Sequence, residues 1–288
     1  GAPLGGPVTV CLYTCGKARE VDATLEALFA SDMGGARVLA LDNGSRDGTP
    51  AVLGAWKERF GGAMEVLTLP VNVGAPAARN WLASHERAAS AGYVAYLDDD
   101  ALVPPDWRAR MGQAVGAYPG AGVWGCKVVD LAHPGRVQHT EVNLLDASGP
   151  EPSFSSLCTQ DLDYGQFGRV RPCLSVTGCF HLFRARTLRE SGGFDIRFSP
   201  TQYDDLDHGL RLRRSGLGAV CQGHLGVRHA RLSGALLHQD GPASGNSTGN
   251  LRKLAAKHPP EVLEALRLAV AAELEADLAA KLESLRRA

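Results

Sequence analysis

The sequence lacks any apolar run long enough to cross a membrane. Its longest apolar stretches, such as Tyr93–Leu97, have the length of one strand, whereas a spanning helix needs about 20 apolar residues. The first residues, Gly-Ala-Pro-Leu-Gly-Gly, also lack the basic region and the apolar core of a secretory signal. We therefore expect a cytoplasmic protein without a transmembrane segment, and a peripheral association with a membrane stays open.

The sequence also lacks an excess of charge of either sign. It has 30 Lys and Arg residues against 31 Asp and Glu residues, a formal net charge of −1. Such a chain has no general attraction to nucleic acid or to an anionic bilayer, so we expect no nucleic-acid partner. Its seven cysteines form no CxxC pair and no repeated spacing, which is typical of a reducing compartment.

The sequence does contain an alternation of short apolar runs and helical patterns. Four apolar runs lie in the first half: Val8–Tyr13, Val38–Leu41, Val66–Leu69 and Tyr93–Leu97. This alternation indicates βαβ units around a mainly parallel sheet. Helices are predicted over Pro76–Ala89 and from Asp204 to Ser215, whereas residues 133–171 have the composition of loops. With 288 residues, we expect one large α/β domain and a small extension.

The composition changes towards the C-terminus. A stretch rich in Gly, Ser, Asn and Pro predicts a flexible loop or linker over residues 236–258. Beyond it, apolar residues recur close to the helical period: Leu263, Leu266, Val270, Leu274, Leu278, Leu282 and Leu285. We therefore divide the chain into a domain over 1–235, the linker, and an amphipathic helix over 259–288. That helix packs either on the domain or on a second subunit of a homo-oligomer.

Three consecutive aspartates, Asp98, Asp99 and Asp100, follow the fourth predicted strand. Adjacent carboxylates raise one another's pKa, and a divalent cation is the simplest way to relieve their repulsion. The carboxyl ends of strands in an open α/β sheet are also where such sheets bind ligands. On a strand or tight turn, Asp98 and Asp100 project to one side and Asp99 points away, so two carboxylates can share a site. A solvated turn or an incidental calcium site is the alternative interpretation.

Five separated parts of residues 8–230 resemble, in order, the motifs of family 2 glycosyltransferases with the glycosyltransferase A (GT-A) fold. They are Val8–Thr14, Leu41–Thr49, Asn72–Gly74 with Ala78–Asn80, Leu97–Asp100 with Pro104-Pro105, and a last run that comprises Thr177–Phe180, Gly192–Asp195, Tyr203–Arg213 and Val227–His229. The resemblance implies a Rossmann-like α/β fold with a mixed, mainly parallel central sheet flanked by helices. It also implies a nucleotide-sugar half over about 1–125 and an acceptor half over about 126–235.

The implied reaction is transfer of a sugar from a nucleoside-diphosphate-sugar to a hydroxyl acceptor. The segment Gly135–His139 resembles part of bacterial members that build surface glycans, which implies that subgroup or a rhamnosyltransferase-like one. The acceptor implied is a glycan, a lipid-linked molecule or a protein. Departures from the family motifs affect the inference about substrates: Cys15-Gly16-Lys17 stands where Tyr-Asn-Arg is frequent, and His208 replaces an apolar residue.

By the same resemblance, the acidic triplet is the DxD motif and holds a divalent metal, Mn or Mg. Asp100 is the first implied ligand, His229 is a further one, and Asp98 contacts the metal shell or the ribose. A bound divalent ion neutralises the leaving nucleoside diphosphate as a Lewis acid. For His229, a lone histidine after a strand, a satisfied structural role is the alternative.

The resemblance also implies a set of nucleotide-sugar-binding residues: Thr14, Asp42, Asn72, Arg79, Asp98, Asp99 and Gly178. A carboxylate at Asp42 can accept the imide N–H of uracil, thymine or guanine, which favours a UDP-, dTDP- or GDP-linked donor. Asp42 can also form an Asx-turn in its own loop, and both roles are compatible. Arg79, on a predicted helix, can line the phosphate pocket or pair with a surface acid.

Asp205 is the residue that we expect to act as the catalytic base. It occupies the position of the aspartate in the family's Glu-Asp pair, and Asp204 is our second choice. A base on the face opposite the leaving group implies inversion at the anomeric carbon. Alternatively, Asp204 and Asp207 are only favourable charges at a helix N-terminus. Trp107, Trp124 and Tyr203 are either sugar-stacking or core aromatics.

Two other functions remain as alternatives. A sugar-phosphate nucleotidyltransferase would share the nucleotide-binding half, but Thr14–Ala18 is a poor version of the basic, glycine-rich phosphate loop that it needs. A catalytically silent scaffold would keep the fold and act through its C-terminal helix as an assembly module. The retained acidic triplet and Asp205 argue against the scaffold.

Overall fold

The computed structural model describes residues 4–156, 161–230 and 242–287. Within these residues, helices flank a mixed central sheet of eleven strands, and a second sheet has three strands. The predicted α/β class with a mixed central sheet is confirmed. Among the helices of the described residues, none combines the length and the apolar content that crossing a bilayer requires.

The first four strands are all parallel. They are β1 (Val8–Thr14), β2 (Arg37–Asn43), β3 (Met64–Leu69) and β4 (Tyr93–Leu97), in the spatial order β4–β1–β2–β3. The helices that connect them are α1 (Ala18–Phe29), α2 (Thr49–Phe60), α3 (Ala75–Ser84) and α4 (Glu86–Ala89). Because helical crossovers return the chain to the same end of the sheet, the carboxyl ends of these strands meet at one edge.

The single helix predicted over Pro76–Ala89 is in fact two helices. His85 has an extended backbone, with φ −68° and ψ 142°, which ends α3. Its side chain then accepts a hydrogen bond from the Arg87 amide and caps α4. A histidine is not among the residues that normally signal an N-cap, so the sequence gives little warning of the break.

The middle of the chain adds shorter elements. In order they are β5 (Ala101–Leu102), α5 (Trp107–Ala117), β6 (Val123–Asp130), β7 (Arg136–His139), β8 (Glu141–Asp146), β9 (Ser153–Ser156), β10 (Asp161–Leu162), β11 (Val170–Cys173), β12 (Ser175–Val176), β13 (Phe180–Arg184), α6 (Ala185–Glu190), α7 (Asp204–Arg214) and β14 (Ala219–His229). Residues 133–171 therefore contain several strands where loops are predicted. Most of these strands have two to four residues, too few for an alternation of apolar and polar residues to be visible.

Two strand pairings bring later parts of the chain to the acidic triplet. Strand β13 runs antiparallel to β4, with Phe180 opposite Leu97, so Gly178 and Cys179 lie beside the end of β4. Strand β14 pairs with β5, with His229 opposite Ala101. Residues from both halves of the sequence thus meet at the edge where β4 ends.

The C-terminal part consists of α8 (Pro242–Lys257) and α9 (Pro260–Arg287). Helix α8 lies inside the predicted linker 236–258, whose first residues, 236–241, are outside the described part of the chain. Helix α9 agrees with the predicted helix over 259–288. Its stripe is buried at Leu263, Leu266 and Val270, in a core cluster with residues of α7, and exposed at Leu278, Leu282 and Leu285.

Several side chains that could contribute to a site instead belong to the core. Trp107 and Trp124 are fully buried, so the hypothesis that they stack on a sugar ring is wrong. Cys11 is also fully buried and behaves as a small apolar residue. The six cysteines within the described residues are free thiols.

Candidate active site

The acidic triplet forms a turn at the end of β4. The Asp98 amide donates to the Cys179 carbonyl oxygen over 2.9 Å, and the Ala101 amide donates back to the Asp98 carbonyl oxygen over 3.3 Å. Lys17 Nζ, at the N-terminus of α1, donates to Asp99 over 2.7 Å and to Asp100 over 2.8 Å. The prediction that Asp99 points away from the shared site is therefore wrong, because the turn brings its carboxylate to the same ammonium as Asp100.

His229 faces the triplet from the end of β14. Its Nε2 lies 3.0 Å from Asp100 Oδ1, and its Nδ1 lies 3.0 Å from Gln138 Oε1. Gln138 Nε2 donates to the Asp130 carboxylate and to the His229 carbonyl oxygen, each over 3.3 Å. Both of these partners accept, so the orientation of the Gln138 amide is fixed and its oxygen accepts the Nδ1 proton. In the neutral imidazole, the Nε2 lone pair then faces Asp100, which is the tautomer that binds a metal.

These side chains fit a divalent cation. Ligand atoms of Asp98, Cys179 and His229 all lie within 4.8 Å of one another, and Asp100 adjoins His229. Carboxylate oxygens suit Mn²⁺ or Mg²⁺, whereas an imidazole is a ligand of transition metals. Burial raises the pKa of the Cys179 thiol well above its usual value, and Asp98 raises it further. Two acceptors that face each other, Asp100 and His229 Nε2, require a proton or a cation between them.

The charges at this site perturb both flanking aspartates, in opposite directions. Loss of solvent raises the pKa of Asp98 to about 6, and Asp100 raises it further, while Arg79 and His229 oppose the rise. For Asp100, burial also raises the pKa, but the hydrogen bonds and charges of His229 and Lys17 outweigh it and hold the pKa below the usual value. A cation at this edge would therefore add most to the stability of ionised Asp98, which has the weaker protein partners.

Thr14 and Asp42 lie at the ends of β1 and β2, at the same edge of the sheet. Both are buried, and the two residues are opposite each other in the pairing of β1 with β2. Asp42 Oδ1 accepts a hydrogen bond of 2.9 Å from the Ser45 amide, so this oxygen stabilises its own loop, through a contact three residues on rather than the two of an Asx-turn.

The Asn72 side chain stabilises the loop after β3 through hydrogen bonds. Its Oδ1 accepts from Asn43 Nδ2 over 3.0 Å and from the Gly74 amide over 2.8 Å, while Asn43 Oδ1 accepts from the Val73 amide over 3.0 Å. The two asparagines thereby join the loops that follow β2 and β3. Gly74 is required at φ 83°, where a Cβ would lie 2.8 Å from Ser199 Oγ.

Arg79 is the residue on which both halves of the molecule converge. It is 4 % exposed and forms a buried ion pair with Asp204. Its Nη2 lies 3.8 Å from Asp98 and donates to the Gly178 carbonyl oxygen over 3.4 Å. The rings of Tyr13 and Phe194 cover the guanidinium, with centroids at 5.5 and 5.3 Å. The alternative that Arg79 pairs with a surface acid is therefore wrong.

Asp204 and Asp205 lie in the first turn of α7 but have different surroundings. Asp204 is 2 % exposed and its carboxylate binds Arg79. Asp205 is half-buried, and its Oδ2 accepts a hydrogen bond of 2.6 Å from the Gly178 amide. Its Oδ1 accepts from the Leu206 amide over 2.8 Å. An added Cβ on Gly178 would lie 2.5 Å from Arg79 Nη2 and 3.2 Å from Asp205 Oδ2, so glycine allows this approach.

The structure therefore brings most of the predicted site residues to one edge, and it adds residues that sequence reasoning missed. Lys17, Gln138 and Cys179 contact the predicted ligands directly. His139 is half-buried, and the charges of both Asp205 and His229 act on its pKa, which burial lowers. For Gln138 and His139, the available signal in the sequence was the resemblance of Gly135–His139 to a family segment. That resemblance assigned no role to either residue.

Comparison with known families agrees with this geometry. The profile described as "Glycosyl transferase family 2" matches residues 8–190, which is more than half of the chain. The chain belongs to glycosyl transferase family 2. The match includes the acidic triplet, Arg79 and Gly178, whereas Asp205, His229, α8 and α9 lie beyond it. No curated protein matches the chain significantly.

Two solved structures illustrate the similarity of fold. A crystal structure of GalNAc-T7 with UDP, GalNAc and Mn²⁺ superposes with a TM-score of 0.68 at 11% identity, over 89% of this chain and 50% of that one. The mannosyltransferase PcManGT from Pyrobaculum calidifontis, in complex with GDP-Man and Mn²⁺, gives a TM-score of 0.56 at 19% identity, over 100% of this chain and 83% of that one. This family 2 chain thus has the GT-A fold, and it spans about half the length of the GalNAc-T7 chain.

Proposed function

We propose that this chain is an inverting, metal-dependent glycosyltransferase that moves a sugar from a nucleoside-diphosphate-sugar to a hydroxyl group of an acceptor. The observation that carries the proposal is the convergence on Arg79. This one buried guanidinium contacts Asp98 of the triplet, the Gly178 carbonyl oxygen and Asp204, next to Asp205. Transfer between two substrates needs both of them held in a fixed relative position. A residue that contacts both the donor site and the neighbour of the acceptor base can provide this.

Asp100, His229 and Asp98 are the residues that we propose to hold the divalent metal, Mn or Mg. When bound there, the ion supplies neutralisation of the negative charge on the departing nucleoside diphosphate. Gln138 holds His229 in the tautomer that leaves Nε2 able to bind. Lys17 keeps Asp99 and Asp100 paired, and its ammonium adds positive charge at the same edge. The Mn²⁺ in both similar structures supports this part of the proposal.

The proposed donor pocket lies along the ends of β1, β2 and β4. We assign it the residues Thr14, Asp42, Asn72, Arg79, Asp98, Asp99 and Gly178. Because the Ser45 amide occupies Asp42 Oδ1, we propose that Oδ2 accepts the imide N–H of a uracil, thymine or guanine base. UDP-, dTDP- and GDP-linked sugars are thus the donors to test. The proposed role of Asn72 is to fix the pocket wall with Asn43.

Asp205 is the proposed base that takes the proton of the acceptor hydroxyl. The Gly178 amide donates to Asp205 Oδ2, and the Leu206 amide donates to Oδ1. These two bonds orient the carboxylate and leave lone pairs free for the acceptor hydroxyl. Asp204 is an unfavourable base because its carboxylate binds buried Arg79. We propose a positioning role for Asp204 instead.

A panel of UDP-, dTDP- and GDP-sugars, with Mn²⁺ or Mg²⁺ and simple glycan or lipid-linked acceptors, tests the proposal. The wild type should release nucleoside diphosphate only with metal, and the product should have the inverted anomeric configuration by NMR. Asp100→Asn should lose metal-dependent turnover, and Asp205→Asn should bind the donor in a thermal-shift assay but transfer about 10²- to 10⁴-fold more slowly.

The same assay can contradict the proposal in two ways. Release of pyrophosphate from a nucleoside triphosphate would indicate a nucleotidyltransferase instead. Absence of both nucleotide binding and turnover in the wild type, with every donor and both metals, would indicate a scaffold without activity.

A further inference from the structure

The segment between α6 and α7, residues 197–203, has an unusual backbone at its end. Gln202 and Tyr203 have φ values of 83° and 69°. These left-handed conformations are uncommon for residues with a side chain, and two in succession persist only when the surroundings impose them. Tyr203 is the residue before α7, so this left-handed turn sets the direction in which Asp204 and Asp205 leave the loop.

Asn250 of α8 holds the turn. It is fully buried, and its Nδ2 donates to the carbonyl oxygens of Phe198, Thr201 and Gln202 over 2.8, 2.9 and 3.1 Å. An amide nitrogen has two hydrogens, so three acceptors use its full capacity and share one hydrogen. Every one of these carbonyls belongs to the segment 197–203. The Asn250 side chain thus supplies these carbonyl oxygens with the hydrogen-bond donors that backbone amides would supply in a helix or a strand.

Other donors on the same face of α8 reinforce this contact. We call Asn246, Asn250, Lys253 and Lys257 the α8 donor stripe, because their spacing of four, three and four residues places them on one face of the helix. Asn246 donates to the Thr201 carbonyl oxygen over 2.9 Å, and Lys253 donates to that of Arg197 over 2.7 Å. Lys257 pairs with Asp207 of α7 over 2.8 Å.

The opposite side of the segment contacts the donor half. The Ala75 amide, the first of α3, donates to the Pro200 carbonyl oxygen over 2.7 Å, and α3 carries Arg79, the partner of Asp204. Residues 197–203 therefore lie between α8 and α3. A displacement of the segment would change the position of Asp205 while the ends of β1, β2 and β4 remain supported by the sheet.

We propose that the α8 donor stripe positions the acceptor side of the site, and that Asn250 is a positioning residue for Asp205. Its catalytic consequence rests on the role proposed above for Asp205, whereas its structural consequence does not. Helix α8 lies beyond the residues that match the family model, as do Asp205 and His229.

The first test is one substitution at Asn250, combined with a rescue substitution and its matched control at Gln202. Asn250→Ser should shorten the donor and lower kcat for transfer about 10- to 100-fold, because a small misplacement of the base is costly, with the donor KM within twofold. Glycine adopts φ 83° without strain, and Gln202 is exposed. Gln202→Gly should therefore recover much of the lost kcat in Asn250→Ser, whereas Gln202→Ala should recover none.

A second measurement does not depend on activity. Hydrogen–deuterium exchange of the amides in 198–206 should accelerate in Asn250→Ser, whereas exchange in β1 and β4 should be unchanged. Leu53→Ala, at a fully buried position of another core cluster, is the control for general destabilisation. It should lower the melting temperature without changing kcat at 25 °C or local exchange in 198–206.

The outcomes separate this inference from the proposed function. Equal recovery by glycine and alanine would overturn the positioning role. So would a loss of kcat in Leu53→Ala as large as that in Asn250→Ser at a similar loss of melting temperature. Unchanged exchange in 198–206 would overturn it too. Faster local exchange together with a wild type that turns over no nucleotide-sugar would support the positioning of the turn and count against the proposed glycosyl transfer.

Discussion

Arg79 on α3 and Asp204 on α7 form a buried ion pair between residues 125 positions apart in the sequence. Their side chains are 5 % and 2 % exposed. This pair joins α3, which packs beside the first parallel strands, to the helix that carries Asp205. It also explains why two adjacent aspartates differ in chemistry, since one is bound to a guanidinium and the other is partly open to solvent.

Breaking this pair on one side should destabilise the fold. Arg79→Met or Asp204→Leu alone leaves a buried charge without its partner and should cost about 3 to 5 kcal/mol. The double substitution Arg79→Met/Asp204→Leu removes both charges and should be less destabilised than either single one. Urea unfolding of the four proteins gives the coupling. Additive losses in the double variant would mean that the two side chains do not act as a pair.

Gly178 should not tolerate even a methyl group. A Cβ there would lie 2.5 Å from Arg79 Nη2 and 3.2 Å from Asp205 Oδ2, so Gly178→Ala must displace one of them. We expect kcat for transfer to fall about 10- to 100-fold. Gly54→Ala is the matched control, because a Cβ at Gly54 on α2 meets nothing within 4 Å. This substitution should raise the free energy of unfolding by about 0.5 to 1 kcal/mol and leave kcat unchanged. Wild-type turnover in Gly178→Ala would contradict the tight approach.

Gln138 should control metal affinity without being a ligand. Gln138→Leu removes the acceptor that fixes the His229 tautomer, and loss of such a partner typically weakens metal binding about 10- to 100-fold. Electron paramagnetic resonance of free Mn²⁺ during titration measures the dissociation constant directly. Gln113→Leu, at an exposed position of α5, should leave it unchanged. Equal affinity of the wild type and Gln138→Leu would remove Gln138 from the proposed site.

His208 should make stability depend on pH. It is buried against the rings of Phe183 and Phe194, and burial, with Arg211 adding, lowers its pKa to about 3. The unfolded chain binds that proton near pH 6.5. From about pH 6.5 down to pH 3, the unfolded state therefore holds a proton that the native state does not, and stability falls by up to about 1.4 kcal/mol per pH unit.

The substitution His208→Leu tests this linkage. The variant should lose this contribution, so its free energy of unfolding should fall less steeply than that of the wild type between pH 6 and pH 4. Urea unfolding at pH 7, 6, 5 and 4 gives the two slopes. His181, whose pKa burial also lowers, is present in both proteins and cancels in the comparison. Parallel slopes would show that His208 is protonated in the native state.

Much of the fold was predictable because its signals are local. The apolar run Tyr93–Leu97 coincides with β4, and the pattern from Asp204 to Ser215 coincides with α7 and its cap. Helix α8 was not predictable in this way. Its stretch of Gly, Ser and Asn has poor helix propensity, and contacts with the segment 197–203 stabilise it instead.

The candidate site was predictable in its residue types but not in its partners. The acidic triplet and the order of the motifs identified Asp98, Asp100, Asp205 and His229. Nothing in the local sequence indicates that Lys17 reaches the triplet from a position more than 80 residues earlier. Nor does it indicate which of two adjacent aspartates binds Arg79, because that choice depends on how α3 packs against α7.

By itself, the sequence determined the four parallel strands of the first half, the edge at which carboxylates collect and the family that the motifs resemble, because side-chain periodicity and short motifs act within a few residues. Only the tertiary structure decided that Arg79 binds Asp204, that Gln138 orients His229 and that Asn250 holds the turn before α7. These contacts join elements that are distant along the chain. Their geometry follows from the packing of helices on the sheet, which no local pattern records.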